Sequence, residues 1–391
     1  MTPTIIITFC ILLLVAYTFN LTSSYTKIPS VILLLLFGWG IQQATTFLDV
    51  SLPSFSPILP VLATIGLVLI VLEGALELDL DKSKLSLIKK SFFGALLPML
   101  ALSFILSFTF QVVGGHSLKT GLINAIPLSI ISSSIAIPSV VNLKKENREF
   151  VIYESSLSDV LGVLFFNFMA LNEDINFASF GFFSLQVLVM IIVSAAATLG
   201  LSYLLGKINH HVKFVPLILL VVLIYEVSKV LHLPALIFIL IFGLSLGNTH
   251  LFTRIKWLHK MKTDGFEEQI EKFRDLTIEG AFLLRTLFFI LFGFLIETSE
   301  VINLNTLPWS IGIVAAALIL RVIQLKLSKI PLTPLLFVMP RGLITILLFI
   351  AVLPENQIPL VNRSLIIQII LLTAIVMAIG IMTTSKENEA T

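Results

Sequence analysis

Thirteen long apolar runs, joined mostly by short loops, constrain this sequence more than any other feature. A helix that crosses a bilayer needs about 20 mostly apolar residues. Runs of this kind, numbered here as spans 1 to 13, fall at 3–20, 29–47, 58–77, 91–113, 117–141, 149–171, 180–205, 213–231, 233–248, 275–297, 306–326, 333–353 and 364–384. The sequence therefore predicts an all-α polytopic membrane protein with about 13 transmembrane helices.

The composition excludes several other classes of protein. Of the 391 residues, 57% are hydrophobic and only 12% are charged, which is too few charges to cover a water-soluble domain. The net charge of +2 gives no support to nucleic-acid binding. The sequence has neither a P-loop nor a GxGxxG motif, and its single cysteine, Cys10, cannot form a cysteine-based metal site. We therefore expect no nucleotide, no cofactor and no enzymatic activity.

The distribution of basic residues predicts the orientation in the membrane, because lysine and arginine favour cytoplasmic loops. With the N-terminus outside, 19 of the 25 Lys and Arg residues fall in the predicted cytoplasmic loops and tail. Of the other six, Lys119, Lys229 and Arg363 fall in the predicted outside loops, and Arg285, Arg321 and Arg341 lie within the spans. We expect a cell-membrane protein with a short cytoplasmic tail at 385–391. His210 and His211 are predicted to be solvated residues of a cytoplasmic loop, with sensing of cytoplasmic pH as the alternative.

Two pairs of spans indicate an internal repeat. Pro29 and Gly38 in span 2 match Pro234 and Gly243 in span 9 at an offset of 205 residues, and spans 5 and 12 match more loosely. Partners seven spans apart cross the membrane in opposite directions, which defines an inverted-topology repeat typical of secondary transporters. We predict one transporter domain over 1–391, with a first repeat at 1–172, a linking helix at 180–205 and a second repeat at 213–384.

Spans 5 and 12 are predicted to be broken helices. Pro138 follows a run of serines in span 5, and Pro340, Arg341 and Gly342 interrupt span 12. Proline removes a backbone donor, and broken backbone at membrane depth is tolerated only beside protein or water. Matched interruptions in two halves of a transporter point to its binding site.

Asp159 is the sharpest functional candidate, since a charge inside a membrane span is costly and is usually functional. The rest of its helix is apolar from Val160 to Phe166, although Ser155, Ser156 and Ser158 offer hydroxyls nearby. A carboxylate buried in this way favours a neutral state, which either a proton or a small cation can supply. The site can then cross the bilayer protonated or loaded with a cation, which forces the two to exchange. The alternative is a structural ion pair with an arginine.

Other charged residues within the spans are also candidates for a structural or functional role. Glu154 and Arg341 are predicted to form a structural ion pair between spans 6 and 12. Arg285 either balances the charge of the site or binds a helix end, and Arg321 is predicted to snorkel towards the membrane surface. Glu73 either lines an ion path or lies in the interface region.

Four motifs resemble those of the cation:proton antiporters, the superfamily of the sodium/proton exchangers. They are KIPSVILLLLFGWGI in span 2, GLVLIVLEGALELDLDK in span 3, ESSLSD in span 6 and MPRGLIT in span 12. The third is similar to the family's ESLLND, with matches at Glu154, Ser155, Leu157 and Asp159. The similarity covers nearly the whole chain.

The resemblance implies an all-helical homodimer in which a core of residues 91–172 and 306–384 moves past a dimerisation domain. It implies that Asp159 binds proton and cation in turn, with Ser155, Ser158 and Glu73 as candidate cation ligands. Ser132 and Ser133 stand where the electroneutral branch has threonine and aspartate, and we take them as further candidates. Their hydroxyls favour potassium as an alternative to sodium.

We therefore expect a secondary active antiporter that exchanges a monovalent cation, sodium or potassium, for a proton without moving net charge. Its predicted partners are these ions, the lipid bilayer and a second copy of the chain. An uncoupled cation channel, or a membrane sensor that does not transport, is the alternative on the same scaffold, and a symporter for an organic anion ranks lower.

Overall fold

A computed structural model describes residues 10–19, 21–22, 29–49, 58–78, 80, 82–172, 175–207, 213–248 and 266–389. Within these residues there are helices but no strands, and nine helices are long and apolar enough to cross a membrane. Each of the thirteen predicted spans contains a helix, so the predicted all-α class is confirmed. His210 and His211 lie outside the described residues.

Most spans are single helices. Those of spans 1 to 4 are Cys10–Phe19, Ser30–Phe47, Ile58–Glu77 and Leu85–Gly114. Those of spans 6 to 11 are Lys145–Leu171, Phe177–Lys207, Phe214–Val230, Leu236–Gly247, Phe266–Phe294 and Leu307–Leu327. The helix of span 13, Arg363–Glu389, continues through residues 385–389, which were predicted as a tail.

Spans 5 and 12 are broken, as predicted. Span 5 consists of two half-helices, Leu118–Ser129 and Ser133–Ser139, separated by an extended segment at 130–132. Span 12 keeps only its second half as a helix, Leu343–Ala351. Its first half is not helical, because Pro334 and Pro340 remove backbone donors there. The two breaks meet, since the amide of Ser132 donates a 2.9 Å hydrogen bond to the carbonyl of Pro340.

The chain divides into two compact units. The first comprises Met1–Thr64, Lys90–Gly162 and Leu283–Thr391. Within it, span 2 packs closely against span 10 through Gly38, where a Cβ would collide with the carbonyl of Ile290 and lie 2.8 Å from the amide nitrogen of Phe294. The missing side chain therefore allows the two backbones to touch.

The second unit comprises Ile65–Lys89 and Val163–Phe282. Within it, span 9 packs against span 3 in a similar way. A Cβ on Gly243 would lie 2.5 Å from the Cβ of Ala75, and one on Gly247 would lie 2.6 Å from the carbonyl oxygen of Leu76. The side-chain amide of Asn248 donates a 2.7 Å hydrogen bond to the carbonyl of Leu78, which fixes the end of span 3.

The two glycine contacts are equivalent under the predicted repeat. Span 2 corresponds to span 9 and span 3 to span 10, so the contact between spans 2 and 10 has its counterpart between spans 9 and 3. The matched glycines Gly38 and Gly243 lie at the centre of these contacts. The boundaries of the two repeats stay predictions.

Candidate ion-binding site

Asp159 lies at the point where the break of span 5 meets span 6. Its side chain is buried, with 1% of its surface exposed. Its Oδ2 accepts a 3.2 Å hydrogen bond from the amide of Ser133 and a second, short one from the Ser133 hydroxyl. Ser133 is the first residue of the second half-helix, and the amides of a first helical turn have no partner within the helix. The break therefore presents a donor and a partial positive charge to the carboxylate.

The other oxygen of Asp159 has no such partner. Oδ1 is buried and accepts no hydrogen bond from any described residue. A buried acceptor left without a partner costs free energy, and a charged one costs more. A proton or a bound cation would satisfy this oxygen. No group of three His, Cys, Asp or Glu side chains clusters anywhere in the described part of the chain, so Asp159 has no acidic cluster around it.

The serines predicted as cation ligands divide into two groups. The hydroxyls of Ser132 and Ser158 both lie at the break of span 5. Ser132 Oγ lies 2.8 Å from Ser134 Oγ. Ser158 Oγ, from span 6, accepts a 3.0 Å hydrogen bond from the amide of Ile131. Ser155 Oγ instead donates a 2.7 Å hydrogen bond to the carbonyl of Val151 in its own helix.

Ser156 lies one turn before Asp159 on the same helix and was not predicted as a ligand. Its hydroxyl is buried and makes no hydrogen bond with any described residue. A buried serine in a helix commonly donates to the carbonyl four residues earlier, as Ser155 does. Nothing in the sequence distinguishes these two neighbouring serines.

Glu154 pairs with Arg321, so the predicted pair with Arg341 is wrong. The two side chains form a salt bridge in which both are almost fully buried. The guanidinium of Arg321 also donates to the side chain of Gln324 at 3.1 Å and to the carbonyl of Leu335 at 3.1 Å. Arg321 therefore does not snorkel. It points into the bundle, and its place near the end of an apolar run does not reveal which face of the helix it occupies.

Arg341 binds backbone carbonyls instead of a carboxylate. Its Nε donates to Leu128 at 2.8 Å and its Nη1 donates to Met339 at 2.6 Å. Leu128 lies in the last turn of the first half-helix of span 5, where carbonyls lack partners within the helix. The guanidinium thus stabilises the negative end of that half-helix. Thr373 of span 13 holds the break in place by accepting a 3.1 Å hydrogen bond from the amide of Arg341.

Arg285 also contacts the break region. Its Nη1 lies 3.4 Å from the carbonyl of Ser134, in the first turn of the second half-helix. Of the two predicted roles, this contact favours binding to the end of a helix. Glu73 lies on the helix of span 3 within the second compact unit.

Residues 10–385 match the family described as sodium/hydrogen exchanger, transmembrane. The chain belongs to the sodium/hydrogen exchanger family. It is therefore a multi-pass membrane protein of a family of cation/proton antiporters, as the four motifs predicted. No curated protein matches the sequence.

The fold of this exchanger-family chain is also found in solved structures. It is similar to the sodium proton antiporter MjNhaP1 from Methanocaldococcus jannaschii at pH 8, with 20% identity and a TM-score of 0.67 over 97% of this chain and 100% of that one. An electron-microscopy structure of MjNhaP1 matches at 18% identity, with a TM-score of 0.67 over 98% of this chain and 95% of that one. At this identity the likeness shows the fold alone.

Sequence reasoning missed Arg321 as a buried member of this exchanger's core. The available signal was Gln324, which follows one helical turn later and provides a second polar group on the same face. Two polar residues on one face indicate that the face is turned towards protein.

Proposed function

We propose that this chain exchanges a monovalent cation for a proton by alternating access, with Asp159 binding each in turn. The observation that carries the proposal is that Oδ1 of Asp159 has no hydrogen-bond partner among the described residues, whereas Oδ2 accepts two hydrogen bonds. A carboxylate arranged in this way is fixed in position by one oxygen and has the other available. Family membership supports cation/proton exchange as the reaction.

The break of span 5 and the adjoining turn of span 6 supply the other proposed ligands. The hydroxyls of Ser133 and Ser132, the backbone carbonyls at 130–132 and the hydroxyl of Ser158 are oxygen ligands suited to a hard cation. Ser155 stays a candidate because its oxygen can still accept while its hydrogen is donated to Val151. Glu73 also stays a candidate, from the resemblance of its motif.

One carboxylate implies exchange of one proton for one monovalent cation, which moves no net charge. The membrane potential is worth about 2.3 kcal/mol per charge per 100 mV and would then not drive the reaction. Setting the potential with a potassium gradient and valinomycin should leave the rate of sodium/proton exchange unchanged. A steep voltage dependence would contradict one-for-one exchange.

Sodium and potassium both fit the proposal. The family match favours sodium. Hydroxyls in place of a second carboxylate give a weaker field, which favours a larger and more easily dehydrated ion such as potassium. Exchange measured with lithium, sodium, potassium and rubidium in turn separates the two, because a weak-field site should prefer the last two.

The family resemblance supports two further features, a homodimer and a moving core of residues 91–172 and 306–384. The distribution of Lys and Arg supports a place in a cell membrane with the N-terminus outside and the C-terminus cytoplasmic. Crosslinking in membranes and labelling of single cysteines introduced into the loops would test the dimer and the orientation.

The experiment that tests the proposal follows cation-induced alkalinisation of acid-loaded proteoliposomes. Asp159→Asn should abolish the response, since an amide can neither release a proton nor neutralise a cation. Glu146→Gln, the same chemical change at an exposed position of the same helix, is the matched control and should keep it. Equal responses from the native chain and Asp159→Asn would overturn the role of Asp159. A voltage-driven cation flux without alkalinisation would instead favour the channel.

A further inference from the structure

The buried charges of the first compact unit do not balance locally. Its described residues bury four ionisable side chains, Glu154, Asp159, Arg321 and Arg341. Glu154 pairs with Arg321, whereas Arg341 forms no salt bridge with any described residue. A charge that is buried without a counter-charge is costly, and carbonyl dipoles compensate it only in part. Arg341 is therefore a buried cation that lacks an anion.

A small cavity lies between the two arginines. It has a volume of about 20 Å³, and Arg321 and Arg341 both line it, together with Ser129, Ala95, Met99 and Ala317. Arg341 is 3% exposed, and its third nitrogen, Nη2, donates none of the hydrogen bonds found among the described residues. A cavity of this size holds about one water molecule or an ion of similar size. The guanidinium of Arg341 thus has a hydrogen available beside a space that can hold one acceptor.

We propose that this cavity is a binding site for a small inorganic anion of the size of chloride, held between the guanidinium groups of Arg321 and Arg341. The anion accepts the hydrogen bond that Nη2 of Arg341 has available and places a negative charge in contact with this guanidinium. Water accepts the same hydrogen bond but leaves Arg341 without a counter-charge in contact. The size of the cavity favours a monatomic anion, because it holds about one occupant of the size of water.

The anion also affects the proposed transport reaction, and this consequence rests on the role proposed for Asp159. Without the anion, the net charge of the four buried side chains is zero when Asp159 is ionised and +1 when Asp159 is neutralised. With the anion, the net charge is −1 when Asp159 is ionised and zero when it is neutralised. Because a core with no net charge crosses the bilayer more readily, the anion favours movement of the loaded site and opposes movement of the empty one.

The site is tested by anion binding alone, so the result does not depend on whether the protein transports cations. The melting temperature of the full-length protein is measured in N-methylglucamine salts at constant pH and ionic strength as chloride replaces gluconate. A ligand that binds only the folded state raises this temperature saturably, here by about 2 °C or more. Bromide should act like chloride, and gluconate is too large to bind.

Two variants on the helix of span 11 locate the effect. Ala317→Leu fills the cavity and should lose the chloride-dependent shift, whereas Ala315→Leu, on the exposed face of the same helix, should keep it. No chloride-dependent shift in the native protein would overturn the proposal, and so would an equal shift in Ala317→Leu.

If Ala317→Leu does not fold, the native protein still decides the matter. Crystals soaked in bromide should show an anomalous peak between Arg321 and Arg341. The absence of that peak at saturating bromide would overturn the proposal.

Discussion

Two acids lie five residues apart in the helix of span 6, in opposite environments. Glu154 forms a salt bridge with Arg321, which also donates to the side chain of Gln324 and the carbonyl of Leu335. The charge of Glu154 therefore has a counter-charge that is itself held in place. Asp159 is equally buried, but its only described donors come from Ser133, and its Oδ1 accepts no hydrogen bond from the described residues. Burial alone therefore does not distinguish a structural carboxylate from a functional one. The two acids differ in the charge of their partners, since Glu154 binds a guanidinium, whereas the described donors to Asp159 are the neutral amide and hydroxyl of Ser133.

Changes at the two acids should therefore cause different defects. A change at the pair of Glu154 and Arg321, the enclosed pair, should destabilise the fold, because it leaves a charge buried without its partner. A change at Asp159 should leave the fold intact and stop exchange.

Glu154→Gln should have the largest effect on stability. It leaves Arg321 buried without a counter-charge, which costs about 3–5 kcal/mol. Thermal unfolding of the purified protein should show a clear fall in melting temperature, and the exposed Glu146→Gln should show none. The double variant Glu154→Leu with Arg321→Met should recover much of the loss, since it removes both charges. A melting temperature unchanged in Glu154→Gln would contradict a structural role for this pair.

Gly94→Ala should destabilise the same region by a smaller amount. The added Cβ would lie 2.7 Å from Nε2 of Gln324 and 2.8 Å from Oε1 of Glu154, so the enclosed pair would have to move. Overpacking of this kind costs about 1–3 kcal/mol. Gly312→Ala in span 11 is the matched control, because nothing lies within 4 Å of its added Cβ. Equal stability in both variants would indicate that the pair is more loosely packed than the structure shows.

Ser133→Ala should weaken cation binding by about tenfold, since one hydrogen bond to a charged group is worth about 1.5 kcal/mol. The hydroxyl donates to Oδ2 of Asp159 and stabilises its ionised form, so its loss lets a proton compete better with the cation. The KM for the cation at fixed pH should rise. Ser139→Ala, in the same half-helix but bonded to the carbonyl of Ile135, should leave KM unchanged. A rise of similar size in both variants would show that the half-helix, not the hydroxyl, matters.

Asp159→Asn should have the smallest effect on stability, about 0.5 kcal/mol or less, although it abolishes exchange. The amide has nearly the same shape as the carboxylate and carries no buried charge. Its melting temperature should stay within the scatter of the native protein. If Asp159→Asn unfolds the chain as readily as Glu154→Gln does, the distinction between the two acids fails.

The sequence predicted the helix breaks at this site better than its tertiary contacts. The prolines and glycine at Pro138, Pro340 and Gly342 predicted both breaks, because their effect on a helix is local. The hydrogen bond from Ser132 to Pro340 joins residues far apart in sequence, and no local pattern contains it.

The choice between Arg321 and Arg341 as the partner of Glu154 shows the same limit. Both arginines lie in apolar runs, and the sequence does not show which helix face each one occupies. Its place in a break favours Arg341 as the partner of Glu154. In the structure Arg341 instead donates to two backbone carbonyls at the breaks, those of Leu128 and Met339. The orientation of Asp159 towards Ser133 likewise depends on tertiary packing.

Proton release on cation binding shows whether Asp159 binds the two ions in turn. Purified protein in weakly buffered detergent solution is mixed with a saturating concentration of the transported cation, and the change in pH is recorded. If Asp159 binds proton and cation in turn, the native chain should release up to one proton per chain, and Asp159→Asn should release none. Cation binding without proton release in the native chain, or equal release from Asp159→Asn, would contradict the account.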